Sequence, residues 1–117
     1  MIQSIAFFVY PVADIQRARD FYERVLGLKV GTNFHDEWIE YDVAGATFAI
    51  TTMDATHRPA AQGAVVAFEV DDLDATVAQL KRAEVRFVAE NVESPVCRSA
   101  VVLDPDGNEV IIHKRKS

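Results

Sequence analysis

Cysteine is almost absent from this chain: Cys97 is the single thiol among 117 residues. One thiol cannot form an intrachain disulfide, which excludes a disulfide-stapled scaffold and leads us to expect a reducing, cytoplasmic setting. Glycine and proline are sparse, with five and four copies, which rules out collagen-like and low-complexity classes. No apolar run approaches the roughly 18–20 residues that span a bilayer. Nor does a basic stretch with an apolar segment and a small-residue cleavage site open the chain. Neither a membrane partner nor a signal peptide is therefore expected. Positive charge is also in deficit: twelve Lys and Arg stand against eighteen Asp and Glu, a net charge of −6. A nucleic-acid partner would call for the opposite balance. The only basic cluster, His113-Lys114-Arg115-Lys116, is read as a solvated tail. The length fits one domain with a modest core.

What the chain does have is a repeat. Phe7-Phe8-Val9-Tyr10-Pro11-Val12-Ala13-Asp14-Ile15 and Val65-Val66-Ala67-Phe68-Glu69-Val70-Asp71-Asp72-Leu73 share one plan, an apolar run ending at an acid. Asp14 and Asp72 lie 58 positions apart (72 − 14). Tyr41-Asp42-Val43-Ala44-Gly45 and Leu103-Asp104-Pro105-Asp106-Gly107 repeat at 62 (104 − 42). Two half-size units of this kind predict a duplicated α+β fold with a cleft built from both copies.

The elements follow from period and punctuation. Ile5–Tyr10 predicts a strand, being rich in β-branched and aromatic residues. Asp14 caps a helix whose stripe is Ile15, Ala18, Phe21, Tyr22, Val25 and Leu26, ended by Gly27. Strands are expected at Lys29–Val30, Glu37–Val43 and Thr47–Thr52, then a linker over 53–63. The second copy gives a strand at Ala64–Val70, a cap at Asp72 and a helix stripe of Leu73, Val77, Leu80 and Ala83. Strands at Val85–Ala89, Arg98–Leu103 and Glu109–His113 complete it, the last two joined by the turn Asp104-Pro105-Asp106-Gly107-Asn108. Glu84 occupies the position of Gly27, so that cap is expected to be strained or differently shaped. The plan is βαβββ twice: module 1 over about 1–55, module 2 over about 64–117, one domain in all.

Val12-Ala13-Asp14-Ile15, Phe21-Tyr22-Glu23-Arg24-Val25-Leu26-Gly27-Leu28, Phe68-Glu69-Val70-Asp71-Asp72-Leu73 and Asp104-Pro105-Asp106-Gly107-Asn108 together span almost the whole chain. In this order they resemble the vicinal oxygen chelate superfamily, which includes glyoxalase I, bleomycin-resistance proteins and extradiol dioxygenases. The resemblance implies two modules whose curled mixed sheet forms a cup, with the helices outside. It also implies up to four metal ligands, at positions that here are Phe7, Ala49, Val65 and Ile111. None of these offers the O, N or S lone pair a divalent metal needs, and a shift of one residue meets only Phe8, Ile50, Val66 and Ile112. No metal or other cofactor is expected.

Strand alternation assigns faces. Phe8, Tyr10, Phe48, Ile50, Val66, Phe68, Val110 and Ile112 are expected to back onto the helices, with Ile39, Tyr41, Val101 and Leu103. The cup would then be lined by Phe7, Val9, Ala49, Thr51, Val65, Ile111 and His113, joined by Thr47, Ala67 and Glu109. Trp38, Glu40, Arg98, Ala100 and Val102 are placed there as well. This is a mostly apolar concavity with a few polar groups, the character of a small-molecule site.

Each polar candidate has two readings. Trp38 would stack on a planar ligand or pack at a subunit contact. Glu40 would act as a base or pocket anion, or be an exposed strand residue. Arg98 would bind a ligand carboxylate through its planar fork, pair with Glu40, or sit at the rim. His113 would carry protons or merely adjoin the basic tail. His35 and His57 fall in expected loops as surface residues, although His35, Glu40 and His113 could make a relocated metal site. Cys97 lacks an identifiable base partner. The leading expectation is a metal-free protein that binds a small apolar or aromatic molecule. The alternative is a divalent-metal-dependent lyase or dioxygenase of the same superfamily. A homodimer is expected, because open sheet edges and an exposed face call for cover and short superfamily members commonly pair.

Overall fold

The computed structural model describes residues 1, 3–53, 59–60 and 65–116. His57, Ala64 and most of the expected 53–63 linker lie outside them. The chain divides into two compact units, Met1–Pro59 and Ala60–Ser117.

The first unit runs β1 (Phe8–Pro11), α1 (Ile15–Arg19), β2 (Val30–Phe34), β3 (Trp38–Val43) and β4 (Ala46–Thr51). The second runs β5 (Val66–Glu69), α2 (Leu73–Arg82), β6 (Arg86–Glu93), β7 (Cys97–Leu103) and β8 (Glu109–Arg115). Each unit is thus βαβββ with one four-stranded sheet, ordered β1-β4-β3-β2 and β5-β8-β7-β6. In each, the first strand pairs parallel with the last and the other pairings are antiparallel. The expected α+β class with two βαβββ modules holds. The registers reproduce the sequence repeat: Phe8 pairs Phe48 and Val66 pairs Val110, offset by 58 (66 − 8) and 62 (110 − 48).

Both helices start where the caps were read. Asp14 Oδ1 accepts the N–H groups of Gln16 at 3.0 Å and Arg17 at 3.2 Å, and Asp72 Oδ1 accepts that of Ala75 at 3.0 Å. The first helix does not stay α-helical. From Asp20 to Val25 it widens into a π-helix, with Leu26 N–H reaching Phe21 O at 2.9 Å. The wider turn keeps both Phe21 and Tyr22 buried against the sheet. Tyr22 packs on Phe48 at 5.1 Å and Tyr41 at 6.4 Å between ring centroids. Gly27 closes the helix at φ +79°. In the second unit Glu84 does the same at φ +60°, with Val85 N–H reaching back to Leu80 O at 3.0 Å. The cap has the usual left-handed shape and carries the strain of a side chain there.

Several boundaries differ from the sequence reading; β1 begins at Phe8 rather than Ile5. Strand β2 extends to Phe34 through Gly31 and Asn33, poor strand formers that an exposed edge tolerates. Strand β6 continues to Glu93. Strand β8 continues into the basic tail, where Arg115 pairs Cys97 and Lys116 N–H bonds Val96 O at 2.9 Å, so the tail is ordered strand rather than solvated end. Among the described residues no helix is long and apolar enough to cross a membrane.

Candidate small-molecule site

In the first unit the registers sort the side chains into two faces. Tyr10, Ile39, Tyr41, Phe48 and Ile50 are buried on the helix side. Phe8 shares their parity but stays 49% exposed, because it begins an edge strand that the helix does not cover. On the other face Val9 pairs Ala49, which pairs Glu40, and Pro11 pairs Thr51, which pairs Trp38. Phe7, just ahead of β1, packs edge-to-face on Trp38 with centroids 5.3 Å apart. Trp38 Nε1–H donates to Glu40 Oε2 at 2.9 Å. The structure therefore brings Phe7, Val9, Trp38, Glu40, Ala49 and Thr51 to one sheet face, with Ala49 and Thr51 buried.

The second unit corrects part of the assignment. Val101 pairs Ile111 and Ser99 pairs His113, while Ala100 pairs Ile112 and Val102 pairs Val110. Ala100 and Val102 are fully buried on the helix side, and Val101 and Leu103 lie on the face of Ile111 and His113. The sequence reading had these two sets reversed. Both sets in β7 are apolar, so bulk was the only cue, and it favoured Val101 and Leu103 over the smaller residues that the helix side accepts. Arg98 moves with its set to the helix side. Its Nη2 pairs with Asp74 Oδ1 of α2 at 2.8 Å, and Nε donates to Asn91 Oδ1 at 3.3 Å. It does not share a face with Ile111. The Asp74 hydrogen bond raises the Arg98 pKa and lowers that of Asp74.

His113 acquires a partner that sequence reasoning missed. Its Nδ1 lies 2.5 Å from Glu69 Oε1, and Glu69 Oε2 accepts the Arg115 backbone N–H at 2.8 Å. These bonds hold the Glu69 carboxyl below its ordinary range, the Arg115 N–H first and His113 second. The signal was available: a parallel register that sets Ala67 against Ile111 also sets Glu69 against His113. A cavity of about 480 Å³ adjoins the pair, lined by Pro95, Val96, Cys97, His113, Arg115 and Lys116. The Cys97 thiol in it lies 3.2 Å from Ser94 Oγ. An imidazole held by a carboxylate can accept and return a proton.

A second network lies on the helix side of the first unit. Arg19 grips Glu23 through Nε at 2.7 Å and Nη2 at 3.2 Å and reaches Asp36 Oδ1 at 3.1 Å. The buried Tyr41 hydroxyl donates to Glu23 Oε2 at 2.9 Å. Partial burial pushes the Glu23 carboxyl up, but the Arg19 and Tyr41 hydrogen bonds outweigh it and leave the group lowered. Burial and the Glu23 carboxylate push the Tyr41 phenol far up.

The donor chemistry does not fit a metal. Phe7 and Ala49 lie on one face of the first sheet, and Val65 and Ile111 on one face of the second by the same parity. All four side chains lack a donor atom. Among the described residues no three or more His, Cys, Asp or Glu side chains are grouped to hold a metal ion, the set His35, Glu40 and His113 included. His35 instead packs its ring on Phe34 at 4.4 Å.

Comparison with known proteins points one way on fold. A family model described as the glyoxalase/bleomycin resistance protein/dioxygenase superfamily matches residues 4–112. Among solved structures, TnmS3, an antibiotic binding protein from Streptomyces sp. CB03234, is 26% identical with a TM-score of 0.79, covering 98% of each chain. Lactoylglutathione lyase from Agrobacterium tumefaciens is 19% identical with a TM-score of 0.77, covering 97% of this chain and 95% of its own. A glyoxalase-related enzyme from Fulvimarina pelagi is 18% identical with a TM-score of 0.79, covering 97% and 88%. No curated protein matches the sequence significantly.

Proposed function

Because this chain belongs to the glyoxalase/bleomycin resistance protein/dioxygenase superfamily, we propose that it is a metal-independent binding protein for a small apolar or aromatic molecule. The observation that carries this reading is the set Phe7, Ala49, Val65 and Ile111 at the four ligand positions. Those side chains exchange a Lewis-acid centre for apolar surface, which favours ligand burial over polarisation of a bound oxygen. The helix-free face of the first sheet supplies the rest: an aromatic corner of Phe7 and Trp38 with Glu40 beside it. TnmS3 offers a parallel, since its description names binding of an antibiotic; the lyase shows that the fold also hosts enzymes, so the site must decide.

Trp38 is the only tryptophan, so its fluorescence reports on this face. Titration with a panel of small aromatic compounds is expected to shift or quench the emission saturably. A folded protein that responds to none of them would refute the reading.

A second reading, an enzyme of the same superfamily, draws on the His113–Glu69 pair, which could move a proton on a bound substrate. Metal analysis after exposure to Zn, Ni, Co, Mn and Fe in turn separates the two. Retention near one metal per chain would favour a metal-dependent enzyme. We extend the binding reading to a cytoplasmic homodimer in which residues 1–117 act as one domain. Open edge strands with exposed Phe34 and Val88 support pairing, and light scattering after gel filtration tests it.

A further inference from the structure

Glu40 sits in a setting that the binding of a neutral apolar molecule leaves unexplained. Its neighbours across the strands are Thr32 on β2 and Ala49 on β4. Along β3 the same face holds Trp38 and Asp42, and β1 contributes Val9. None of these residues is basic. Among the described residues Glu40 forms no ion pair, and its one hydrogen bond is the donation from Trp38 Nε1 to Oε2 at 2.9 Å. Several other carboxylates do meet cations: Glu23 meets Arg19, Asp74 meets Arg98 and Asp20 meets Arg24. A half-buried carboxylate that holds an indole N–H through one oxygen and has no cation on its face is a ready partner for a cationic group.

The Trp38 bond also fixes what the indole can offer. With its N–H spent on Glu40, the ring presents a π surface and no donor, and tryptophan is the side chain that attracts cations most strongly through its face. Phe7 packed at 87° to it holds that ring in place. An aromatic platform and a carboxylate thus lie side by side, with no cation paired to that carboxylate among the described residues.

We propose that the ligand is an aromatic cation: a planar apolar body set against Trp38 and Phe7, bearing a protonated amine or amidinium that pairs with Glu40. This inference rests on the binding reading above and adds the sign of the ligand's charge. The net charge of −6 raises the local concentration of such molecules.

The test uses three molecules of one shape: 2-naphthylmethylamine, protonated at neutral pH; the neutral 2-naphthylmethanol; and the anion 2-naphthoate. Calorimetric titration of the full chain is expected to show the amine binding about tenfold tighter than the alcohol, and the acid weakest. Glu40→Gln keeps an acceptor for Trp38 Nε1 and removes only the charge. It is expected to lower amine affinity about tenfold and leave the alcohol unchanged. Asp71→Asn, an exposed acid elsewhere, is expected to change neither. Equal binding of amine and alcohol by the unaltered protein overturns the charge inference while leaving the binding reading intact. So does an amine preference that survives Glu40→Gln, with folding verified by thermal melting. Binding of neither amine nor alcohol overturns both.

Discussion

Replacing Tyr41 by Phe removes one hydroxyl from a fully buried ring and nothing else. The ring keeps its contacts with Tyr22 and Phe48. What is lost is the 2.9 Å donation to Glu23 Oε2. A hydrogen bond to a charged group contributes about 1.5–3 kcal/mol. The low end applies, because Glu23 keeps both Arg19 bonds and about a quarter of its side-chain exposure. We expect Tyr41→Phe to cost about 1–1.5 kcal/mol in urea unfolding at pH 7 with an unchanged m-value. The sign of the pH effect follows from the raised phenol pKa. In the unfolded chain tyrosine ionises near pH 10, while the folded phenol stays protonated well beyond it. The contribution is therefore complete below about pH 10 and lost above it, at about 1.4 kcal/mol per pH unit. The unaltered protein should lose its advantage over the variant near pH 11, roughly. A difference below about 0.3 kcal/mol at pH 7, or one constant from pH 8 to 11, would refute the network's role. At the acid end, the lowered Glu23 carboxyl contributes above its unfolded pKa near 4.3 and loses that contribution as pH falls through the folded value.

Three further outcomes are expected. Asp104 is buried and accepts from Asp106 N, Asn108 N and Asn108 Nδ2, each at 2.9 Å; Asp104→Ala should cost about 3 kcal/mol, or about 10 °C in Tm by circular dichroism, and a cost under about 1 kcal/mol would contradict it. Glu84→Gly relieves a side chain at φ +60° and should stabilise by about 0.5–1 kcal/mol in the same melt. Arg98→Ala breaks a surface pair with Asp74, so unfolding should shift by no more than about 0.5 kcal/mol and aromatic-ligand affinity should not change.

The parts legible in the sequence were those governed by period and punctuation. Asp14, Asp72 and Gly27 announced helix ends because caps depend on one local residue. The face of Trp38, Glu40, Ala49 and Thr51 followed from alternation, since the opposite residues Ile39, Tyr41, Phe48 and Ile50 are bulkier and apolar. Strand β7 defeated the same reasoning: with both faces apolar, alternation carries no contrast, and only the pairing with β8 settles it. The widening at Asp20–Val25 leaves no trace in a 3.6-residue stripe, because Phe21 and Tyr22 satisfy either spacing. Glu69 as the partner of His113 needed the parallel register, a relation between residues 44 positions apart (113 − 69).

The parallel pairing of first with last strand has a consequence in time. Val9 cannot meet Ala49, nor Ala67 meet Ile111, until everything between them has been synthesised. Each sheet therefore closes late, at the end of its own stretch of chain, and loop closure must precede the pairing that rewards it. The first sheet holds all its strands once Thr51 has left the ribosome, whereas the second waits for Arg115. During that interval β5 lacks the β8 ladder that pairs its Val66 with Val110 and its Phe68 with Ile112. Synthesis thus passes through a stage in which the first sheet has all its strands and the second still lacks the strand that joins β5 to β7.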